Sequence, residues 1–252
     1  MSSRVIVVTG TDTGVGKTMV TAALAARLRG RGNRVHIRKP VQTGCIDADD
    51  PRRPALESAY SDVVTRSDAQ IAGNLAGVEY STGVCLTLPM TPTAAASASG
   101  TELPSPREHA EAILGLLTPA PDDEDAAGDT IILVEGAGGL LVDFGHGATI
   151  ADIAATTLAV DPGVEVEVIV VARPGLGTLN HTALTCEALH RRGLSVSGIV
   201  LGTWPRHPSP VDIDNRRRLG ELGPLIGALP DHCGTLSPTD FRAGAAGWTT
   251  IR

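Results

Sequence analysis

The segment Gly10-Thr11-Asp12-Thr13-Gly14-Val15-Gly16-Lys17-Thr18 constrains this chain more than any other. It follows the apolar run Val5-Ile6-Val7-Val8 and precedes an Ala/Leu-rich stretch from Met19 to Leu28. That order reads as strand, tight loop, helix. Small residues let the loop turn sharply enough for several backbone N–H groups to converge on one phosphate. The helix N-terminus adds partial positive charge, Lys17 adds a full one, and the Thr18 hydroxyl is placed to reach a magnesium ion. A nucleoside-triphosphate site is therefore predicted here. The strict spacing G-x-x-x-x-G-K-[ST] asks for glycine at position 11, where Thr11 stands; the glycine comes one residue earlier, at Gly10. The competing reading, a plain turn with a solvated Lys17, is disfavoured by the strand and helix on either side.

Strands and helices alternate downstream. Strands are predicted at 34–38, 131–134, 166–172, 196–201 and 225–229, with helices at about 179–191 and 212–222. Continuous β-branched runs between amphipathic helices predict an α/β fold with a mostly parallel central sheet and helices on both faces. Ligands in such sheets gather outside the carboxyl ends of the strands. The 252 residues suffice for one large domain, and no internal repeat divides them, so a single unit over 1–252 is expected. With aromatics at 2%, the core must be built from Val, Ile, Leu and Ala. Residues 46–65 read as a polar loop, and 118–129 (TPAPDDEDAAGD) as a mobile, solvated acidic spacer.

Net charge of −7 argues against nucleic acid as a general partner. Cys45, Cys85, Cys186 and Cys233 form no C-x-x-C pair, which fits reduced thiols in the cytoplasm. No leader sequence and no membrane-length apolar run is evident.

Other residues at strand ends carry chemistry. Lys39, in Lys39-Pro40-Val41-Gln42-Thr43-Gly44, ends the second predicted strand beside the phosphate loop, where an ammonium group can neutralise a transferring phosphoryl group. Glu135 ends the apolar run Ile131-Ile132-Leu133-Val134, in the manner of a strand-end carboxylate that holds Mg²⁺. The Gly136-Ala137-Gly138-Gly139 stretch after it lets backbone approach phosphates or substrate closely. Asp68, in Arg66-Ser67-Asp68-Ala69, is weaker by itself and has a helix cap as its plain alternative. Gly177-Thr178-Leu179-Asn180-His181 opens a helix whose N–H groups suit an anionic carboxylate, with an N-cap role for Thr178 as the competing reading. His181 reads as structural, and Asp143 and His146 as solvated.

Taken together, GTDTGVGKT at 10–18, RKPVQTG at 38–44, SDA at 67–69, VEGAGG at 134–139 and LGTLNHTALT at 176–185 resemble the dethiobiotin synthetase family of the P-loop superfamily, over nearly the whole chain. The resemblance implies a three-layer P-loop fold and a cyclo-ligase of biotin biosynthesis. Its substrates are 7,8-diaminononanoate, CO₂ and ATP or another nucleoside triphosphate, with Mg²⁺. An amine captures CO₂ as a carbamate, a carbamate oxygen attacks the γ-phosphorus, and the second amine closes the ureido ring and expels phosphate. The implied catalytic residues are Lys17, Lys39 and Thr13. Nucleotide falls to Gly14, Val15, Gly16, Lys17, Thr18, Met19, Asp68, Glu135, Gly136, Ala137, Gly138, Gly202, Thr203 and Pro230. The metal falls to Thr18, Asp68 and Glu135. Substrate falls to Thr43 and to Gly177, Thr178, Leu179 and Asn180, the last four acting on the neighbouring subunit's site. A homodimer with sites at the interface is implied, with no nucleic-acid or membrane partner.

One departure stands out. Many family members carry an Asn-Asp pair after this strand to read adenine, where this chain has Gly202-Thr203-Trp204-Pro205. The expectation is a base site read through backbone near Gly202 and Pro230 that accepts several nucleoside triphosphates. Three alternatives fit less well. A Min/Par-type switch ATPase needs a signature lysine where Asp12 stands. A cobyrinate-synthase-like ligase is expected to carry a further glutamine-handling domain. An inactive homologue would have lost Lys17, Lys39 or Glu135.

Overall fold

A computed structural model describes residues 3–118 and 128–251. Strand β1 (Ser3–Gly10) runs into the loop and then helix α1 (Lys17–Arg29). Next come β2 (Arg34–Thr43), α2 (Arg53–Ala59), α3 (Asp68–Ala76), β3 (Glu79–Leu86), α4 (Pro92–Ser99) and α5 (Pro106–Gly115). The remainder is β4 (Thr130–Glu135), α6 (Ile150–Val160), β5 (Glu165–Ala172), α7 (Thr178–His190), β6 (Val196–Trp204), α8 (Pro210–Leu222), β7 (Leu225–Pro230) and α9 (Pro238–Trp248).

The strands form one sheet in the order β3-β2-β4-β1-β5-β6-β7, and every pairing between them is parallel. Alternation along β1 explains the layering: Ile6 and Val8 face one side, Val5 and Val7 the other, and all are buried. α1, α3 and α9 cover the first face; α4 to α8 cover the second. α1 lies between the sheet, α3 and α9, so its Ala22-Ala23-Leu24-Ala25-Ala26 run is buried all round rather than along one stripe. Each fully buried Val, Leu or Ile contributes about 1.5–3 kcal/mol.

β4 and β5 flank β1, and their crossover helix α6 lies on the face opposite α1. Connections leaving on opposite faces open a crevice at the carboxyl end of β1, the place where such sheets bind ligands.

Several expectations are corrected. β2 continues five residues past 38, because 39–43 pair with β3. β3 itself went unpredicted: it is an edge strand with only Leu86 buried, so it lacks an apolar run. The 46–65 loop contains α2, a short helix with no buried residue. The N-cap of α7 is Gly177 at φ 88°, so Thr178 is the first helical residue and does not cap. His146 is exposed, as expected of a solvated residue, yet its ring nitrogen Nε2 lies 3.0 Å from the Leu103 carbonyl oxygen. Asp143 is half-buried and accepts the Gly145 N–H. Of the acidic spacer, 119–127 lie outside the described residues.

Candidate functional site

The loop after β1 is shaped by Gly14 and Gly16, at φ 71° and 98°, where L side chains are strained. Gly16 caps α1 directly, so the helix N-terminus faces the crevice. On the far side, β6 comes so close that a Cβ on Gly202 would sit 1.9 Å from the Val15 carbonyl oxygen. A Cβ on Gly16 would in turn meet the Gly202 carbonyl oxygen at 2.7 Å. Two glycines in contact seat the loop against the sheet.

Lys17 lies along this loop, 7% exposed, and donates to the Asp12 and Gly138 carbonyls at 2.9 and 2.7 Å. Burial first, and then the neighbouring Lys39 ammonium, pull its pKa down to about 8. Its two carbonyl partners are neutral, so an anion entering here meets a cation without a carboxylate hydrogen-bonded to it.

Lys39 reaches in from β2 and is 2% exposed. It contacts the Asp68 carboxylate at 2.7 Å, Glu135 Oε1 at 2.9 Å and the Gly136 carbonyl at 2.8 Å. Burial alone would lower its pKa; Glu135 and Asp68 outweigh it and hold the ammonium above its ordinary value. Burial lifts the Glu135 carboxyl, opposed by Lys39 and by the Thr18 hydroxyl.

Glu135 ends β4 and is fully buried. Its Oε1 also accepts from Thr18 Oγ1 at 2.9 Å, while Oε2 is buried without a hydrogen-bond partner. A carboxylate oxygen left open beside a hydroxyl and a second carboxylate suits a hard cation that completes its shell with phosphate oxygens and water. Among the described residues no cluster of three or more His, Cys, Asp and Glu side chains gathers to hold a metal unaided. The residues therefore fit Mg²⁺ carried in with a nucleotide.

A cavity of about 560 Å³ brings together Thr13, Gly14, Gly16, Lys17, Thr18, Met19, Lys39, Thr43, Asp68, Glu135, Ala137 and Gly138. Val15 is buried beneath the loop, and Gly136 takes part through its carbonyl. Gln42, Asp62 and Met90 also line the cavity; nothing in their local sequence marks Asp62 or Met90, whereas Gln42 lies within RKPVQTG at 38–44. The sequence also left Arg173 aside, although it pairs with the loop's Asp12 at 2.6 Å.

Two predicted groups lie elsewhere. Thr203 and Pro230 sit at the ends of β6 and β7; Thr203 Oγ1 donates to Asp231 at 3.3 Å, and Pro230 and Asp231 border a separate cleft of about 680 Å³ with Trp204. Gly177, Thr178, Leu179 and Asn180 do not line the Lys17–Lys39 cavity; Thr178 is fully buried and its N–H bonds the Gly175 carbonyl at 3.3 Å.

A protein-family model described as "AAA domain" matches residues 4–235. The ATP-dependent dethiobiotin synthetase BioD of Mycobacterium avium (strain 104) is 44% identical over 245 residues, spanning 96% of this chain and 94% of that protein. That of Mycolicibacterium gilvum (strain PYR-GCK) is 43% identical over 242 residues, spanning 94% and 91%. Among solved structures, the Pyrococcus furiosus cell division ATPase MinD superposes with TM-score 0.53 at 20% identity, covering 98% of this chain and 94% of that one. MinD of Pyrococcus horikoshii with Mg-ADP gives 0.52 at 18% identity, covering 98% and 93%. At such identities the likeness is one of fold alone.

Proposed function

Because the chain belongs to the ATP-dependent dethiobiotin synthetase family, we propose a division of labour among the residues at its strand ends. The protein is an ATP-dependent cyclo-ligase that closes a ring in biotin biosynthesis. Its substrates in our reading are 7,8-diaminononanoate, CO₂ and the nucleotide. One amine and CO₂ form a carbamate, and a carbamate oxygen displaces ADP from the γ-phosphorus. The second amine then attacks the carbonyl of the mixed anhydride, and phosphate leaves. Phosphorylation is the step that gives a poorly electrophilic carbamate a leaving group.

Lys17 exchanges its two carbonyl partners for β- and γ-phosphate oxygens. Lys39 faces the carbamate and the γ-phosphoryl group, and its position between Asp68 and Glu135 is the observation that carries this reading. An ammonium fixed before the reaction needs no reorganisation as charge develops, and one such group is worth roughly 3–4 kcal/mol of barrier. Thr13 lies beside the carbamate, Thr43 contacts the diamine, and the Gly136–Gly138 backbone borders the phosphates. Thr18, Asp68 and Glu135 would hold Mg²⁺, which when bound neutralises charge on the β- and γ-phosphates.

The enzyme works as a cytoplasmic homodimer. Gly177 to Asn180 serve the neighbouring copy's substrate carboxylate, a reading supported by their not lining their own cavity and by exposed apolar side chains on and beside α7. Leu141, Leu176 and Leu184 are 58%, 89% and 57% exposed. No described helix is long and apolar enough to cross a membrane. The base is read through backbone near Gly202 and Pro230 and is not restricted to adenine, since Gly202 has no room for an amide side chain.

Incubation with diaminononanoate, bicarbonate, Mg²⁺ and ATP, followed by mass detection of the cyclic urea, tests the reaction; no urea from folded protein refutes it. Turnover with ATP, CTP and GTP tests the base reading, which a strict preference for ATP defeats.

A further inference from the structure

Gln42 has no part in the chemistry above, yet the residue is buried, 6% exposed, in the wall of the cavity. Its Oε1 accepts the Asp68 N–H at 2.9 Å, and its Nε2 donates to the Thr43 carbonyl at 2.9 Å. One side chain on β2 thus ties the first residue of α3 to the last residue of its own strand. Burying an amide is unfavourable unless both ends are paired, and these two partners pair both.

The Asp68 N–H belongs to the first turn of α3, where the helix supplies no acceptor, so its direction is set from outside. Ser67 fixes the other side of that turn: its hydroxyl accepts the Gln70 N–H at 3.2 Å and the Thr82 hydroxyl at 2.8 Å. Ser67 therefore moors α3 to β3, and Gln42 moors it to β2. Between these moorings the Asp68 carboxylate, 32% exposed, meets Lys39. A carboxylate this open would otherwise swing towards water.

We infer that Gln42 is a positioning residue for both halves of the reaction, aiming Asp68 at Lys39 and the divalent cation, and setting Thr43 against the diamine. The inference rests on the roles given to Asp68 and Thr43 under the proposed function. Outer-shell partners of this kind change metal affinity by roughly 10–100-fold when removed.

The test uses the full chain and a fluorescent ATP analogue, titrated with Mg²⁺ and again in EDTA. Gln42→Met keeps the volume and loses both hydrogen bonds. Its half-saturating Mg²⁺ is expected to rise roughly tenfold or more, with binding in EDTA and the melting temperature close to the parent's. Gln42→Glu keeps the acceptor for the Asp68 N–H but has no donor for Thr43. It should recover the Mg²⁺ titration. Gln42→Met is also expected to raise the KM for diamine, and Gln42→Glu, which restores no donor to Thr43, should leave that KM raised. A folded Gln42→Met protein with the parent's Mg²⁺ titration overturns the inference; should that variant not fold, Gln42→Ala is read in the same way. A parent chain that makes no urea, paired with a shifted titration in the variant, upholds the hold of Gln42 on Asp68 and refutes the reaction, and the Thr43 half with it. Urea formation with an unshifted titration does the reverse.

Discussion

Gly202→Ala perturbs the site without touching a charged group. The added Cβ would lie 1.9 Å from the Val15 carbonyl oxygen and 2.8 Å from Val171 Cγ1. Carbon contacts are most favourable near 3.5–4.0 Å, so the loop and the end of β6 must part by roughly 1 Å or more. The strain is expected to lower stability by about 1–3 kcal/mol, or roughly 2–4 °C of melting temperature per kcal/mol for a chain of this size. The larger effect is on catalysis. Lys17 follows directly on the displaced loop, and a misplacement of about 1 Å costs on the order of 100-fold in rate. Steady-state kinetics should show kcat/KM for nucleotide falling by about that factor, and a thermal melt should show the modest loss. Gly202→Asn should be worse, because the same Cβ carries an amide. Parental kcat/KM and melting temperature in Gly202→Ala would refute the seating of the loop by this contact.

Lys39→Ala should cut urea formation by about 100- to 1,000-fold. It should also lower the melting temperature, because it strands buried Glu135 without its cation; adding Glu135→Gln should restore part of that loss, and a single variant that melts like the parent would contradict the pairing. Glu135→Gln alone should raise the Mg²⁺ needed for half-maximal turnover, and an unchanged metal titration would remove Glu135 from the ligand set. His109 tests the fold. It is 4% exposed with Nε2 unpartnered, and burial, assisted by Arg38, lowers its pKa to about 4. Its folded pKa lies below the unfolded value, so the neutral ring's contribution is intact above about pH 6.5 and is lost as pH falls towards 4. That loss amounts to about 3 kcal/mol. Urea denaturation between pH 7 and 4 should show this slope, and His109→Phe should flatten it; equal slopes would acquit His109.

The sequence by itself determined the elements whose apolar runs are buried on both faces of the sheet. β1, β4 and β5 are apolar because both faces are covered; the run of β1 announces the loop that leads to Lys17, and the run of β4 ends on Glu135. The glycine-rich loop was legible for a local reason, since its shape depends on its own backbone torsions. Only the tertiary structure decided what meets what. Asp68 lay in a three-residue fragment with a helix cap as its alternative, until α3 and Gln42 brought it to Lys39. β3 stayed hidden because an edge strand that is half solvated leaves no hydrophobic period. The contact between Gly202 and Val15 joins residues far apart in the 252-residue chain, and a missing side chain leaves no local trace of what it makes room for. Hydrophobic pattern records how much of a segment is covered; strand order, which puts residues 39 and 135 beside the same loop, is settled only when the sheet assembles.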